Sequence, residues 1–366
     1  MKLNIQREVL LKPLQQVIGA VEKRHTMQIL GNVLLRCDGT HLKMTATDLE
    51  VELVAEIEHT AEEAGDITLP ARKLLDICRA LPESAEIRIQ VAGERAVISS
   101  GRSRFILTTL PVGDFPNLDE IQGLIEFSLT EKEFLTLIDR TAFAMANQDA
   151  RYYLNGLMLE MEKGTVRMVA TDGHRLSLCA LESILDTEQV HQVIIPRKGV
   201  LELSRLLEYR DDPVRIQIAA NHLRVRVAGL CFTTKLIDGR FPDYRRVIPR
   251  EGEQVLQVDR ELLRQALGRT AILSNEKYRG VRIELSTDNM KLQSHNPDQE
   301  EAEEEMEVEY RGHPLEIGFN VTYLMDVVTH LKGEHLQATF KDAGSSVLIR
   351  DMGFEDALYV IMPMRL

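Results

Sequence analysis

Apolar positions along the chain switch between two periods, and the switching recurs. Leu10, Leu11, Leu14, Val17, Ile18 and Val21 share one helical face. A helix is therefore expected there, with Pro13 in its first turn or kinking it. From residue 33 to 57 the period shortens to that of strands at 33–37, 42–45 and 51–55, the first two joined by an Asp38-Gly39 turn. After Pro70 the helical period returns with Leu74, Leu75, Cys78 and Leu81 on one side, until Pro82 stops it. Strands at 86–91, 95–99 and 104–108 complete the stretch. It reads as two half-copies, each of strand, helix and three strands. Short turns between successive strands imply mostly antiparallel sheets with both helices on one face, an α+β arrangement.

The same pattern occurs three times. Phe134-Leu135-Thr136-Leu137-Ile138 and Leu262-Leu263-Arg264-Gln265-Ala266-Leu267 repeat the first apolar helix. Ala46-Thr47-Asp48 returns 124 residues later as Ala170-Thr171-Asp172, and Ser294-His295-Asn296 stands another 124 on. The second helix recurs as Pro196-Arg197-Lys198-Gly199-Val200 and, more distantly, as Asn320-Val321-Thr322-Tyr323-Leu324. Each copy closes on a strand ending near proline, at Phe115-Pro116, Phe241-Pro242 and Met362-Pro363. Three tandem domains are expected, at 1–122, 123–250 and 251–366, each of ordinary domain size. Such an array presents unpaired edge strands at its two ends.

Composition fits this picture: 44% of the 366 residues are hydrophobic and 28% charged. No apolar run approaches the ~18 residues that span a bilayer, and the amino terminus lacks a signal-peptide core. A cytoplasmic protein that engages no membrane is expected. Four scattered cysteines, without a Cys-x-x-Cys pair, suggest reduced thiols rather than a disulfide framework or zinc site. Neither a phosphate loop, a dinucleotide fingerprint nor metal-ligand spacing occurs, so no cofactor is expected. The net charge of −13 disfavours tight duplex binding. Yet acidic residues concentrate at 298–305, while basic residues recur in the second helices as Arg72, Lys73 and Arg79, then Arg197, Lys198 and Arg205. One end of the array, 101–107, is basic and apolar. The other carries the acidic run beside Ala271-Ile272-Leu273, so two copies could meet head to tail.

Several stretches together resemble one family: Asn147-Gln148-Asp149-Ala150-Arg151-Tyr152-Tyr153-Leu154-Asn155-Gly156, Ala170-Thr171-Asp172-Gly173-His174-Arg175-Leu176, Asp238-Gly239-Arg240-Phe241-Pro242-Asp243-Tyr244-Arg245-Arg246-Val247, Ala271-Ile272-Leu273-Ser274-Asn275, and Met362-Pro363-Met364-Arg365-Leu366. Along its whole length the chain resembles the bacterial sliding clamps, the beta subunits of DNA polymerase III. The resemblance implies the DNA-clamp fold, dimerising into a six-domain ring that encircles duplex DNA of any sequence and tethers the replicative polymerase without catalysis. It implies a separate clamp loader and further replication or repair partners. Their short apolar peptides, with a glutamine, would occupy a groove of Leu154, Thr171, Gly173, His174, Arg175, Leu176, Pro242, Arg246 and Val247, together with Asn320, Tyr323, Ser346, Val360, Met362, Pro363 and Met364. Methionine-rich walls suit many partners. The ring seam would join Lys73, Arg102, Arg104, Phe105 and Leu107 to Ile272, Leu273, Glu300, Glu301, Glu303 and Glu304 of a second copy. DNA-facing positions would be Arg24, Gln148, Tyr152, Tyr153, Arg167, Arg197 and Lys198. The chain departs from the family pattern around 21–28, with Gln28 where proline is common, and at Asn147, where histidine is common.

Two other readings stand beside it. Asp172 and His174 could serve a hydrolase, although no Gly-x-Ser-x-Gly supplies a nucleophile. A repeat scaffold that binds proteins but never DNA would show the same periodicity.

Overall fold

The computed structural model describes residues 1–22, 27–116, 123–183, 185, 187, 189–249 and 252–365. In the first third, β1 (Lys2–Gln6) leads into α1 (Arg7–Val17), followed by β2 (Asn32–Cys37), β3 (His41–Thr47), β4 (Val51–Glu58) and β5 (Gly65–Pro70). Then come α2 (Ala71–Ala80), β6 (Glu86–Ala92), β7 (Arg95–Ser100) and β8 (Ser103–Thr108). The order recurs with β9 (Ile125–Thr130), α3 (Glu131–Asp139), β10 (Gly156–Glu162), β11 (Thr165–Thr171), β12 (Arg175–Glu182) and β13 (His191–Pro196). The second half of this copy is α4 (Arg197–Leu206), β14 (Pro213–Ile218), β15 (His222–Val227) and β16 (Leu230–Lys235). The last copy comprises β17 (Gln254–Asp259), α5 (Arg260–Thr270), β18 (Gly280–Ser286), β19 (Asn289–His295), β20 (Glu301–Glu307), a short β21 (Glu309–Tyr310) and β22 (Leu315–Asn320). It ends with α6 (Val321–His330), β23 (His335–Phe340), β24 (Val347–Asp351) and β25 (Phe354–Ile361).

Local chemistry sets the helix starts. Thr130 and Glu133 form a reciprocal capping box ahead of α3, with Thr130 N donating to Glu133 Oε2 at 2.7 Å and Glu133 N to Thr130 Oγ1 at 3.1 Å. Asp259 and Asn320 cap α5 and α6 by accepting from Leu262 N and Thr322 N. The first helix begins at Arg7, a turn earlier than its apolar period suggests, so Pro13 stands mid-helix on the buried face rather than in the first turn. Ile18 already belongs to a 3-10 turn beyond it.

All strand ladders among the described residues are antiparallel, but the halves of each copy exchange strands. β1 pairs with β6 and β5 with β2, giving a four-stranded sheet β1-β6-β7-β8 and an eight-stranded sheet β5-β2-β3-β4-β16-β15-β14-β9. The second of these runs from the first copy into the next through β4 and β16. Likewise a nine-stranded sheet, β13-β10-β11-β12-β25-β24-β23-β17-β21, passes from the middle copy into the last through β12 and β25. A four-stranded sheet β20-β19-β18-β22 completes the set. By contacts the chain forms two compact units, residues 1–134 with 201–236 and residues 135–200 with 237–366. In the first, Leu10, Leu14 and Val17 of α1 and Leu74, Leu75 and Cys78 of α2 are buried. In the second, Leu267 of α5 and Val321 and Val328 of α6 are wholly buried. Among the described residues no helix is long and apolar enough to cross a membrane, and no cluster of acidic, histidine and cysteine side chains could hold a metal ion.

Candidate functional site

The recurring Thr-Asp turns are the same structure twice. In the first copy Thr47 Oγ1 donates to Val51 O at 2.9 Å, and Asp48 Oδ1 accepts from the backbone of Glu50 and Val51. In the second, Thr171 Oγ1 donates to Arg175 O at 2.5 Å, and Asp172 Oδ1 accepts from His174 N and Arg175 N. The residue after the aspartate has positive φ in both, 78° at Leu49 and 90° at Gly173. A Cβ at 173 would also stand 2.9 Å from Arg151 Nη1, so glycine lets that guanidinium lie close over the turn. Arg151 Nη2 donates to Asp172 O at 3.1 Å, while its Nε and Nη2 grip Asp149 at 3.0 and 2.9 Å. That grip holds the Asp149 carboxyl at about 2.

This turn forms one rim of a cavity of about 330 Å³. Leu154, Thr171, Gly173, His174, Arg175, Leu176, Pro242, Val247, Ser346, Val360 and Met362 line it, all within the second compact unit. Its floor belongs to an apolar cluster in which Met158, Val169, Leu176, Leu178 and Ile194 of the nine-stranded sheet meet Phe241 and Tyr244. Met362 N donates to His174 O at 2.9 Å, so the chain's final segment is pinned to the rim. Arg175 fastens the rim from behind. It bonds Asp172 Oδ2 at 3.1 Å, Asp326 and Phe143 O, and its guanidinium lies 4.5 Å from the Tyr323 ring centroid. Of the remaining expected groove residues, Tyr323 therefore touches the rim arginine rather than the cavity. Arg246 points outward in an ion pair with Asp243 at 2.9 Å, and Asn320 caps α6. Met364 N bonds Gly318 O, leading the tail away from the cavity, and Pro363 lies between them. Arg151, Tyr153, Asp243 and Tyr244 also line the groove and were not assigned to it by sequence. The family motifs 147–156 and 238–247 contained all four.

Asp172 is no partner for the His174 ring, because its carboxylate is occupied by its own turn and by Arg175. The hydrolase reading loses its dyad on that geometry.

Among the positions expected to face DNA, Gln148 and Tyr152 are exposed, and the Tyr152 ring meets Tyr153 edge-on at 5.8 Å. Tyr153 itself turns into the groove lining. Arg197 and Lys198 are half-buried at the start of α4, and Arg197 Nη1 donates to Met145 O at 3.3 Å. Arg167 departs from expectation: its guanidinium is committed to Glu160 and Glu162 at 2.9 and 2.5 Å on the sheet face that carries the groove. Arg24 lies outside the described residues.

At the expected seam, β8 and β20 are the last strands of their sheets. Lys73, Arg102 and Arg104 are exposed. On β8, however, Phe105 is half-buried and Leu107 buried, and the exposed apolar residue is Ile106, at 47%. Alternation along a half-buried strand explains the difference, since 105 and 107 share the inner face. The acidic run is no solvated coil: residues 301–307 pair with β19. Glu300, Glu301 and Glu303 face solvent. Glu304 turns back to Arg269 of its own chain at 2.7 and 2.8 Å, which holds its carboxyl below the usual range. Beside them Ile272 is 74% exposed and Leu273 half-buried.

Tandem α+β copies joined through continuous sheets, with a peptide-sized groove in the second compact unit, define the DNA-clamp class. The family models for the DNA polymerase III beta subunit match in order: the N-terminal domain over residues 1–119, the central domain over 128–243 and the C-terminal domain over 245–365. The chain belongs to this family of replication sliding clamps. It is 52% identical to the beta sliding clamps of Pseudomonas aeruginosa and Escherichia coli K12, with both chains covered completely. A crystal structure of the P. aeruginosa beta subunit superposes with a TM-score of 0.97 over all of both chains. A P. aeruginosa clamp bound to griselimycin superposes at 0.96, again at 52% identity and full coverage of both chains. The C. crescentus clamp, 39% identical with a TM-score of 0.96 over 100% of this chain and 99% of that one, is described with polyethylene glycol at a beta-motif tethering region.

Proposed function

We propose that two copies of this chain close head to tail into a ring around duplex DNA, and that the cavity bounded by Thr171–Leu176, Pro242 and Met362 takes short apolar peptides of the replicative polymerase and of other replication and repair partners. The observation that carries this reading is the groove itself, an apolar floor open to solvent and rimmed by Arg151, His174 and Arg175. Full-length similarity to sliding clamps and the griselimycin-bound relative support it. The three copies divide at 1–122, 123–250 and 251–366. The open edges of β8 and β20 approach one another at each seam, with Ile106, Ile272 and Leu273 covering apolar surface and Arg102 and Arg104 facing Glu300, Glu301 and Glu303. Exposed ion pairs contribute only ~0–1 kcal/mol each, so they set register and partner choice more than affinity. Gln148, Tyr152, Arg197 and Lys198 face the duplex.

Topology rather than phosphate affinity then retains the protein on DNA, which suits an acidic body with few basic contacts. The chain works without catalysis in the cytoplasm, and a separate loader opens the ring. Retention on nicked circular duplex, with loss on linearisation, tests this reading. Release from the intact circle as readily as from the linear form would refute it. Direct DNA binding should be weak and fall steeply with salt; salt-insensitive, sequence-specific binding would contradict the sliding mode.

A further inference from the structure

One wall of the groove is held from beneath by a carboxylate. Glu160, in mid-β10, has no exposed surface, and its cross-strand neighbours are Arg167 on β11 and Gln192 on β13. Both donate to it: Arg167 Nη1 to Oε1 at 2.9 Å and Gln192 Nε2 to Oε2 at 2.7 Å. The remaining donors come from the loop overhead, where the Tyr244 hydroxyl and Arg245 Nη2 reach Oε1 at 2.9 and 2.8 Å. Burial opposes the charge on Glu160, but these hydrogen bonds and the Arg245 charge prevail and hold its carboxyl below the ordinary range. Burial and Glu160 together push the Tyr244 phenol up to about 12. At neutral pH the carboxylate therefore accepts and the phenol donates.

Tyr244 is also a groove wall, beside Pro242 and Val247. The segment 237–249 that carries it contains no strand, only the 3-10 turn Tyr244–Arg246. No sheet ladder fixes its height above β10. Its height is set by the packing of Ile237, Phe241, Tyr244 and Ile248 on the apolar cluster, the bond from Ile237 N to Ile194 O, the weaker pairing of Arg245 with Glu162, and Glu160. We propose that Glu160 is a positioning residue for partner-peptide capture, setting the seat of the Tyr244 ring and with it the width of the groove.

This inference rests on the peptide-groove reading above. Neutralising Glu160 leaves no cation stranded in the interior, because the side chains of Arg167 and Arg245 are 24% and 49% exposed and Glu162 remains within 2.5 and 3.9 Å of them. The effect should therefore concentrate on the loop rather than on the sheet.

The test uses the full-length chain and a short fluorescein-labelled apolar peptide carrying one glutamine, read by anisotropy. If the unaltered protein fails to bind this peptide, the groove reading itself is at fault. If it binds, Glu160→Gln should weaken binding by about tenfold, the scale of one charge-assisted hydrogen bond. Tyr244→Phe keeps the ring and the pairing of Glu160 with Arg167 and Gln192, and should weaken it about threefold to tenfold. Hydrogen exchange should accelerate at 238–247 in both variants while 156–162 stays protected. Unchanged peptide affinity in either variant overturns the proposal. So does loss of protection across 156–162, which would make Glu160 a general stabiliser of the sheet.

Discussion

Replacing Ile272 and Leu273 together by alanine is the sharpest test of the proposed ring. Ile272 is 74% exposed in the single chain and Leu273 is largely covered, so the apolar surface available for burial by a second copy is chiefly that of Ile272. Each loses three carbons on truncation. At ~0.8 kcal/mol per buried methylene, discounted for what is already covered, the pair contributes about 2 kcal/mol to one seam. A two-fold ring contains the seam twice, so the double variant should lose about 4 kcal/mol, on the order of a thousandfold in the dimer constant. The isolated chain should lose about 1–2 kcal/mol, from the contacts that the covered part of Leu273 already makes within it, and should stay folded. Sedimentation velocity across a concentration series, paired with thermal melting and peptide binding, separates the two effects. The expected outcome is a folded monomer that melts slightly lower and still binds a groove peptide. A variant that remains dimeric down to nanomolar concentration places the seam elsewhere, and one that unfolds refutes the assignment of these residues to a free surface.

Three further outcomes follow from the same geometry. Deleting 362–366 removes the backbone bond from Met362 to His174 and one groove wall, so peptide affinity should fall at least tenfold with the dimer unchanged by sedimentation; retained affinity would move the site. Because Asp149 titrates at about 2, below its unfolded value, the stabilisation from its pairing with Arg151 is fully present above about pH 4 and disappears as pH falls through about 2. Carboxyl-carbon NMR should show that titration, and an Asp149 midpoint near 4 would mean the Arg151 grip is absent in solution. Burial pushes the Cys179 thiol up to about 12, with Asp356 adding to the shift, and the Cys78 thiol to about 11. Native protein should leave both unmodified by a thiol reagent at pH 8 that labels them once unfolded. Prompt native labelling of either would contradict its burial.

Much of the architecture was legible in periodicity because each copy uses the same local solutions. Thr47-Asp48 and Thr171-Asp172 close identical turns, and the sequence identity of those turns is enough to align the copies. Strand exchange between half-copies was not legible, since pairing of β1 with β6 is non-local and no turn announces it. The acidic stretch is a strand because β19 offers it a ladder, a tertiary effect that overrides the low strand propensity of glutamate. At the groove, motif resemblance located the rim but not its support. Glu160 and Arg167 are separated by a hairpin and become partners only through register, so Arg167 was placed toward DNA and Glu160 was not singled out. For seam residues 105 and 107 the apolar identity was visible, but the face each side chain occupies depends on which side of β8 is covered.

The pairing of Arg175–Glu182 with Phe354–Ile361 also orders events during synthesis. A ribosome emits the first of these strands long before the second, and the nine-stranded sheet cannot be completed until nearly the whole polypeptide has emerged. The cavity wall supplied by Val360 and Met362 therefore forms only after that last strand is made. A chain cut short before Phe354 would lack both the strand and the wall.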